Sequence, residues 1–321
     1  MIAFEPLPQK PLVGISTCLL GEPVRFDGGH KRDDYLNDVL ARYFNYRPFC
    51  PELGIGLGVP RPTIHLANIG GAIRLRGVKN PDDDFTDQML AWTDRQRPQQ
   101  QGLSGYVLKS KSPSCGMDRV KLHGASGGLP QHTGGIYATR LAQHFPLLPI
   151  EEEGRLHDPV LRENFITRVY AYARWQALRA SQPGKADVIA FHTRYKLILL
   201  AHNEAAYRRL GRMVAELKGR LSHDWLDSYA SEFMAALKRK ATRKRHVNVL
   251  QHIAGYFKRS LDSSDREELA ALIDDYRQEK IPLVVPLTLL QHHLRRQPDA
   301  YLQQQYYFAP WPTELGLRNV L

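Results

Sequence analysis

The hydrophobic pattern of this chain changes character once, between about residues 155 and 185. Before that point, short apolar segments of strand length run into Gly, Pro, Ser and Cys, as at Pro11–Ser16 and Leu103–Lys109. After it, strand-like alternation is nearly absent and apolar residues recur at helical spacing. A chain of 321 residues is long enough for two domains. The pattern therefore predicts an α/β domain over residues 1–160 and an all-α domain over residues 161–321.

Short strands that end in turn residues are typical of an open, Rossmann-like sheet with its site at the strand ends. Two helices are predicted between these strands, over Asp33–Phe44 and Thr86–Arg97. In the second half, Asp158-Pro159 begins a helix that Gln182-Pro183-Gly184 ends. Further helices are predicted near residues 187–201, 203–219, 223–241, 243–260 and 265–279, the last with a capping box of Ser264 and Glu267.

Three cysteines, Cys18, Cys50 and Cys115, are spaced 32 and 65 residues apart. An odd and sparse set argues against a disulfide framework, and these spacings exclude a compact zinc finger. Each cysteine lies in a turn after a predicted strand, so the three loops could meet at one edge of the sheet. Three thiolates suit a [4Fe–4S] cluster with one open iron. A zinc ion with an open position and three merely buried thiols are the alternatives.

The formal net charge is +11, which favours an anionic partner such as a nucleic acid. The second half carries +7 of this excess and the first half +4. Six cations within eight positions are concentrated at Lys238, Arg239, Lys240, Arg243, Lys244 and Arg245. This density suits contact with RNA phosphates, and a solvated helix face is the alternative.

No apolar run approaches the roughly 20 residues that a membrane span needs, so no membrane partner is expected. The first 16 residues do not read as a signal peptide. The cytoplasm is the expected compartment.

Ordered motifs over about residues 12–160 resemble the TudS thiouracil desulfidase family. They are STCLLG at 16–21, VRFDGG at 24–29, CPELGIGLGVPRP at 50–62, LKSKSPSCG at 108–116, GGIYA at 134–138 and PIEEEGRLHD at 149–158. The second half resembles the YbgA-type helical domain through four segments. These are FHTRYKLILLAHN at 191–203, NVLQHIAGYFKRSL at 248–261, DYRQEKIPLVVPLTLLQHHL at 275–294 and LGLRN at 315–319. The fused arrangement is similar to the RudS type, which acts on thiouridine in transfer RNA.

The resemblance implies residue roles. The cysteines of the CLLG, CPE and SPSCG motifs, here Cys18, Cys50 and Cys115, are the family's ligands for a [4Fe–4S] cluster. The family's catalytic acid/base is here Glu52, and its catalytic serine is here Ser112. Candidate substrate-binding residues are Arg25, Asp27, Arg61, Lys109 and Ser114, although a structural ion-pair network or loop hydrogen bonds would also explain them.

The chemistry of these residues agrees with the resemblance. A thiocarbonyl sulfur is soft and would bind an open iron, while Glu52 activates water as general base and Ser112 orients it. We therefore expect desulfuration of 4-thiouridine in tRNA, with free thiouracil as a further small substrate and hydrosulfide as product. An RNA-binding or redox-sensing iron–sulfur protein without turnover is the alternative. His192, Lys196 and His202 recur at helical spacing and favour structural roles over RNA contact.

Overall fold

The computed structural model describes residues 5–80, 82–124, 131–219 and 221–320, which form two compact units. One unit holds residues 9–158. The other holds residues 159–320 together with the short segment 5–8 near the amino terminus. The predicted fold class, a parallel α/β region followed by a helical region, is confirmed.

The α/β unit contains two four-stranded sheets in its described part. Its strands are β1 (Leu12–Ser16), β2 (Asn45–Phe49), β3 (Ile64–Ile69), β4 (Ala72–Gly77), β5 (Gly105–Leu108), β6 (Val120–His123), β7 (Gln131–Thr133) and β8 (Ile150–Glu152). Its helices are α1 (Pro51–Gly54), α2 (Thr86–Gln100) and α3 (Ile136–His144).

The first sheet is wholly parallel, in the order β2–β1–β5–β8. Its central strands are short apolar runs, and every residue of β5 is buried. Parallel strands covered on both faces require such continuous apolar runs, which explains why the sequence revealed β1 and β5. All four strands end at the same edge, and that edge carries the candidate site.

The second sheet, in the order β4–β3–β6–β7, was not predicted. It begins with an antiparallel hairpin in which Ile69 faces Ala72 across the two-residue turn Gly70-Gly71. Both glycines have positive φ, as a tight hairpin turn demands, so the Gly-Gly pair was a usable signal.

The predicted helix over Asp33–Phe44 is irregular. It consists of a π-helical turn at Tyr35–Val39 and a 3₁₀ turn at Leu40–Arg42. The amide of Asn37's side chain donates to the Leu19 carbonyl at 2.9 Å. The segment is thus shaped by its contact with the loop of Cys18, which local sequence does not reveal.

The helical unit contains eight helices in its described part. They are α4 (Pro159–Ala180), α5 (Lys185–His202), α6 (Glu204–Ala215), α7 (His223–Lys238), α8 (Arg243–Tyr256), α9 (Ser263–Arg277), α10 (Val284–Arg296) and α11 (Ala300–Gln303). None of these helices, nor any other that the structure describes, is long and apolar enough to cross a membrane.

Side-chain caps mark several of the helix starts, as at Asn203, Ser222 and Thr242. The capping box predicted for α9 at Ser264 and Glu267 is wrong. The N-cap is Asp262, whose carboxylate accepts the Asp265 amide at 2.8 Å. Asp262, two residues before Ser264, is preferred as the N-cap because its negative charge also complements the positive end of the helix dipole.

A candidate active site at the carboxyl edge of the parallel sheet

The candidate site is built from loops that follow the ends of the parallel strands. Cys18 follows β1, Cys50 directly follows β2, and Cys115 lies in the loop after β5. All three line one cavity of about 340 Å³, together with Glu52 and Ser112. The structure therefore brings together the three cysteines and both candidate catalytic residues.

Burial raises the pKa of all three thiols. Burial is the main cause that raises the pKa of Cys18, to about 11, and the neighbouring Cys50 raises it further. Burial also raises the pKa of Cys50 and of Cys115, and Cys115 is additionally raised by Glu52 and the other two thiols. Within the described ranges, no group of three or more His, Cys, Asp or Glu side chains is already arranged to hold a metal ion.

The loop that carries Cys115 is held by the amino terminus of α3. The amide of Ile136 donates to the Pro113 carbonyl at 3.2 Å, and the amide of Ala138 donates to the Ser114 carbonyl at 3.1 Å. A Cβ atom at Gly135 would lie 2.4 Å from that same Ser114 carbonyl oxygen. Only glycine permits this approach, so Gly135 of the GGIYA motif allows the amino terminus of α3 to hold the cysteine loop.

Glu52 lies on α1, and both of its carboxylate oxygens are engaged. Oε1 accepts a hydrogen bond from the Ser114 hydroxyl at 2.6 Å, and Oε2 accepts one from Nε of Arg61 at 3.0 Å. The Arg61 side chain is only 4% exposed and also donates to the carbonyls of Gly58 and Val24. Arg61 is therefore a buried anchor that orients Glu52.

The two serines of the SPSC motif occupy different positions relative to Glu52 and the cavity. Ser114 is fully buried and is the close partner of Glu52, whereas the Ser112 hydroxyl lies 3.4 Å from Oε1. The Ser112 oxygen accepts the Cys115 amide at 3.1 Å and lines the cavity. Ser112 thus faces the space where a substrate would lie, while Ser114 lies behind the carboxylate.

Two family models match the chain. Residues 13–153 match a model described as 2-thiouracil desulfurase, and residues 196–312 match one described as a protein of unknown function, DUF1722. The uncharacterized protein YbgA of Escherichia coli (strain K12) is 36% identical over 163 residues, which are 49% of this chain and 94% of that protein. The chain belongs to the YbgA (DUF1722) family and carries a 2-thiouracil desulfurase domain.

Among solved structures, the [4Fe-4S]-dependent thiouracil desulfidase TudS is similar to part of the chain. The two are 28% identical, and the superposition covers 46% of this chain and 95% of TudS with a TM-score of 0.38.

The charged residues around the cavity of the 2-thiouracil desulfurase domain are mostly paired. Nζ of Lys109 contacts the Glu153 carboxylate, which also accepts the Ser110 amide at 2.7 Å. Nε of Arg25 lies 3.5 Å from Asp27, and Asp27 itself does not line the cavity. Arg25, Arg61 and Lys109 also line the cavity, so their role in substrate binding stays a prediction beside their ion pairs.

Two lysines at the cavity, Lys31 and Lys111, form no ion pair with the part of the chain that the structure describes. Sequence alone did not single out Lys31 or Glu153 as site residues. Glu153 belongs to the PIEEEGRLHD motif and follows β8, so its place after a strand could have identified it.

The six cations of the YbgA-like region have different environments. Lys238, Arg239, Lys240 and Lys244 are exposed. By contrast, Arg245 donates to the His202 carbonyl at 2.8 Å, so its guanidinium serves the fold.

The helical histidines are buried. Nδ1 of His192 lies 3.0 Å from the Tyr229 hydroxyl, and Nδ1 of His202 lies 2.6 Å from the Arg239 carbonyl. Both residues are less than 7% exposed, in line with structural roles.

Proposed function

We propose that this protein is a desulfidase that replaces the thiocarbonyl sulfur of 4-thiouridine in tRNA by oxygen. The observation that carries the proposal is the meeting of three thiols, Glu52 and Ser112 on one cavity inside the 2-thiouracil desulfurase match. We place the reaction in the cytoplasm, where free thiols such as these three persist.

The residues of the cavity fit a [4Fe–4S] cluster held by Cys18, Cys50 and Cys115. Three soft sulfur donors come from three separate loops, and burial favours their neutral form in the absence of metal. Metal ions reverse that preference because they bind the thiolate. When bound, such a cluster would supply an open Lewis-acidic iron, which favours the soft sulfur of a thiolated base.

Glu52 is the general base of the proposed reaction. Arg61 and Ser114 hold the carboxylate in one orientation, and a carboxylate has lone pairs left after accepting these hydrogen bonds. It can therefore take a proton from a water molecule that attacks the ring carbon. The carbon–sulfur bond breaks, a carbonyl replaces the thiocarbonyl, and hydrosulfide leaves without net electron transfer.

Ser112 is suited to orient that water or the substrate oxygen. Its oxygen accepts the Cys115 amide at 3.1 Å. Because the Ser114 hydroxyl donates to Glu52, the Ser112 O–H donates to Ser114 Oγ, 2.9 Å away, until a ligand in the cavity competes for it. Ser112 lines the cavity, so its removal should affect the reacting atoms directly, whereas Ser114 does not line it and acts through its neighbours, chiefly Glu52.

A tRNA substrate is supported by the charge of the helical half. Four exposed cations, Lys238, Arg239, Lys240 and Lys244, lie within seven positions. Neutralising all four should weaken tRNA binding and flatten its salt dependence, because fewer counterions are released. Arg243 and Arg245 should stay unchanged in that variant because both donate hydrogen bonds to backbone carbonyls.

The deciding experiment uses anaerobically reconstituted full-length protein with thiolated tRNA and with free thiouracil. Hydrosulfide release and loss of the thiolated nucleoside are measured alongside iron and zinc content. We expect turnover by wild type and by the exposed control Glu22→Gln, and turnover slowed by about 10²-fold or more in Glu52→Gln at equal iron content. Iron-loaded protein that converts neither substrate would instead favour a binding or sensing role.

A further inference from the structure

Another cavity, also of about 340 Å³, lies in the helical unit. Its walls come from the start of α4, the loop before α8, the end of α9 and the carboxyl-terminal residues up to Val320. This volume is at the lower end of the range of ligand pockets, so it suits a small group such as a single nucleotide. Neither the cysteines nor Glu52 contribute to it.

Positive charge dominates this cavity. Lys240, Arg243 and Arg318 line it, and Glu163 is the one carboxylate among its lining residues in the described part of the chain. Glu163 is paired with Nε of Arg318 at 3.0 Å. Lys240 makes no ion pair to any residue in the described ranges. Nε of Arg243 lies 3.4 Å from the exposed carboxylate of Glu279, which does not line the cavity. The lining itself therefore keeps a net positive charge, most fully at Lys240, that an anionic ligand would neutralise.

Backbone carbonyls and aromatic rings fix the side chains of both Arg243 and Arg318. Nη1 of Arg243 donates to the Tyr276 carbonyl at 2.6 Å. The guanidinium of Arg243 also lies 4.6 Å from the centre of the Tyr276 ring. Nη1 of Arg318 donates to the Tyr307 carbonyl at 2.6 Å, and its guanidinium lies 4.9 Å from the ring centres of Tyr307 and Trp311.

For both arginines, Nη2 makes no hydrogen bond to the residues that the structure describes. A fixed guanidinium with unused donors loses little conformational entropy when it binds an oxyanion.

One buried imidazole completes the wall. His246 is 7% exposed, and its Nδ1 lies 2.8 Å from the Tyr307 hydroxyl, so the ring orientation is fixed. Apolar side chains, including Val160 and Leu317, line the remainder. A charged wall beside an apolar wall matches a ligand with a phosphate at one end and a sugar and base at the other.

We propose that this cavity binds the phosphate group of a nucleotide, with Lys240, Arg243 and Arg318 as its donors. Charge-assisted hydrogen bonds from guanidinium to phosphate are strong and directional, and Lys240 adds a mobile point charge. The phosphate belongs either to a phosphodiester within an RNA chain or to a free nucleoside monophosphate. Phosphate binding here does not depend on desulfuration, because it takes place in the other unit.

Two exposed lysines distinguish a phosphate site from a diffuse basic surface. Lys244 and Lys238 belong to the same basic stretch as Lys240, yet neither lines the cavity. Substituting any one of the three removes the same charge at nearly the same place in the chain. If the cavity binds the phosphate, substitution of Lys240 should weaken binding much more than substitution of Lys238 or Lys244.

The test measures binding of full-length protein to labelled tRNA without thiolated nucleosides and to uridine 5′-monophosphate. We expect Lys240→Gln and Arg243→Gln to weaken binding by about tenfold each, the size of one lost charge-assisted hydrogen bond. Lys240→Arg keeps the positive charge and should bind as tightly as wild type. Lys244→Gln and Lys238→Gln should change the affinity by less than about twofold.

Binding of the monophosphate to wild type, lost in Lys240→Gln, would identify a free nucleotide as a ligand. If wild type binds tRNA but not the monophosphate, and Lys240→Gln loses affinity for tRNA, the ligand is a phosphodiester within RNA. Equal losses of tRNA affinity in Lys240→Gln and Lys244→Gln, with no binding of the monophosphate, would overturn the proposal. Because neither probe contains sulfur, these results are independent of whether the cysteine site turns over a thiolated base.

Discussion

The Ser114 hydroxyl donates to Oε1 of Glu52 at 2.6 Å across 62 positions of sequence. This contact joins the loop after β5 to the helix after β2, so it links a cysteine loop to the proposed general base. Ser114 is fully buried and has no room to contact a substrate itself. Its hydroxyl, with Arg61 on the other oxygen, determines where the carboxylate points.

Loss of the carboxylate should abolish most activity. Glu52→Gln keeps the size of the side chain and can still accept a hydrogen bond from Ser114, but it cannot take a proton from water. We expect desulfuration to slow by about 10²-fold or more with unchanged iron content. Rates near those of wild type, measured on protein with full iron, would show that another group is the base.

Ser112→Ala and Ser114→Ala should behave differently. Removal of Ser114 frees one oxygen of Glu52, so we expect kcat to fall by about tenfold while KM is retained, as for a positioning residue. Ser112 faces the cavity, and its removal should slow turnover at least as much and also weaken substrate binding. Steady-state kinetics with free thiouracil distinguish the two, and identical effects on kcat and KM would contradict the division of roles.

Each of the three cysteines should be needed for iron. Anaerobically reconstituted wild type should hold about four irons per chain, and Cys18→Ala, Cys50→Ala or Cys115→Ala should each lose most of it. Ser114→Ala is the matched control in the same loop and should retain the metal. Stoichiometric zinc without a visible iron–sulfur chromophore would refute the cluster assignment.

Gly54→Ala should be destabilising because α1 packs directly on α2 at this position. A Cβ atom there would lie 2.1 Å from Cε2 of Trp92, so the helix or the indole must move. We expect a loss of about 1–3 kcal/mol in the free energy of unfolding, and slower turnover because α1 carries Glu52. Gly58→Ala is the control, since no heavy atom lies within 4 Å of the place its Cβ would take. Denaturant unfolding at neutral pH measures both variants.

Acid should destabilise the helical unit through its buried histidines. Burial lowers the pKa of His202 to about 4, although the Arg239 carbonyl partly opposes this, and burial lowers the pKa of His192 to about 4 as well. An unfolded histidine titrates near 6.5, so the unfolded state binds more protons as the pH falls below that value. Stability is therefore complete above about pH 6.5 and is lost towards pH 4.

At pH 5 each histidine should cost about 2 kcal/mol of folding free energy relative to pH 7. Denaturant unfolding at both pH values, followed by helical circular dichroism, checks this. His192→Gln should lower stability at pH 7 and remove part of the pH dependence. An unchanged pH dependence in that variant would show that His192 is not one of the groups responsible.

Local sequence determined the features that rest on local physics. Continuous apolar runs revealed β1 and β5, because strands buried on both faces must be apolar throughout. The helical period and the breaker Gln182-Pro183-Gly184 revealed α4 and the helices after it. The three cysteines were recognisable because each follows a strand end, and parallel strands present their carboxyl ends at a single edge.

Tertiary structure decided which charged groups pair with one another. From sequence, Arg61 and Lys109 were candidates to contact substrate, yet Glu52 and Glu153 engage them. The partners in these pairs lie nine and 44 positions apart. The choice among many possible carboxylates depends on loop packing, which residue types and spacing do not encode.

The same limit applies in the helical half. Sequence showed six cations as one cluster, and the structure separates them into exposed lysines, a fold-holding Arg245, and a cavity that adds Arg318 from the far end of the chain. Sequence by itself determined the fold class, a parallel α/β region followed by a helical region, and it proposed the residues able to do chemistry. Only the packing of distant segments decided which of them face a common cavity, because long-range contacts set side-chain partners and burial.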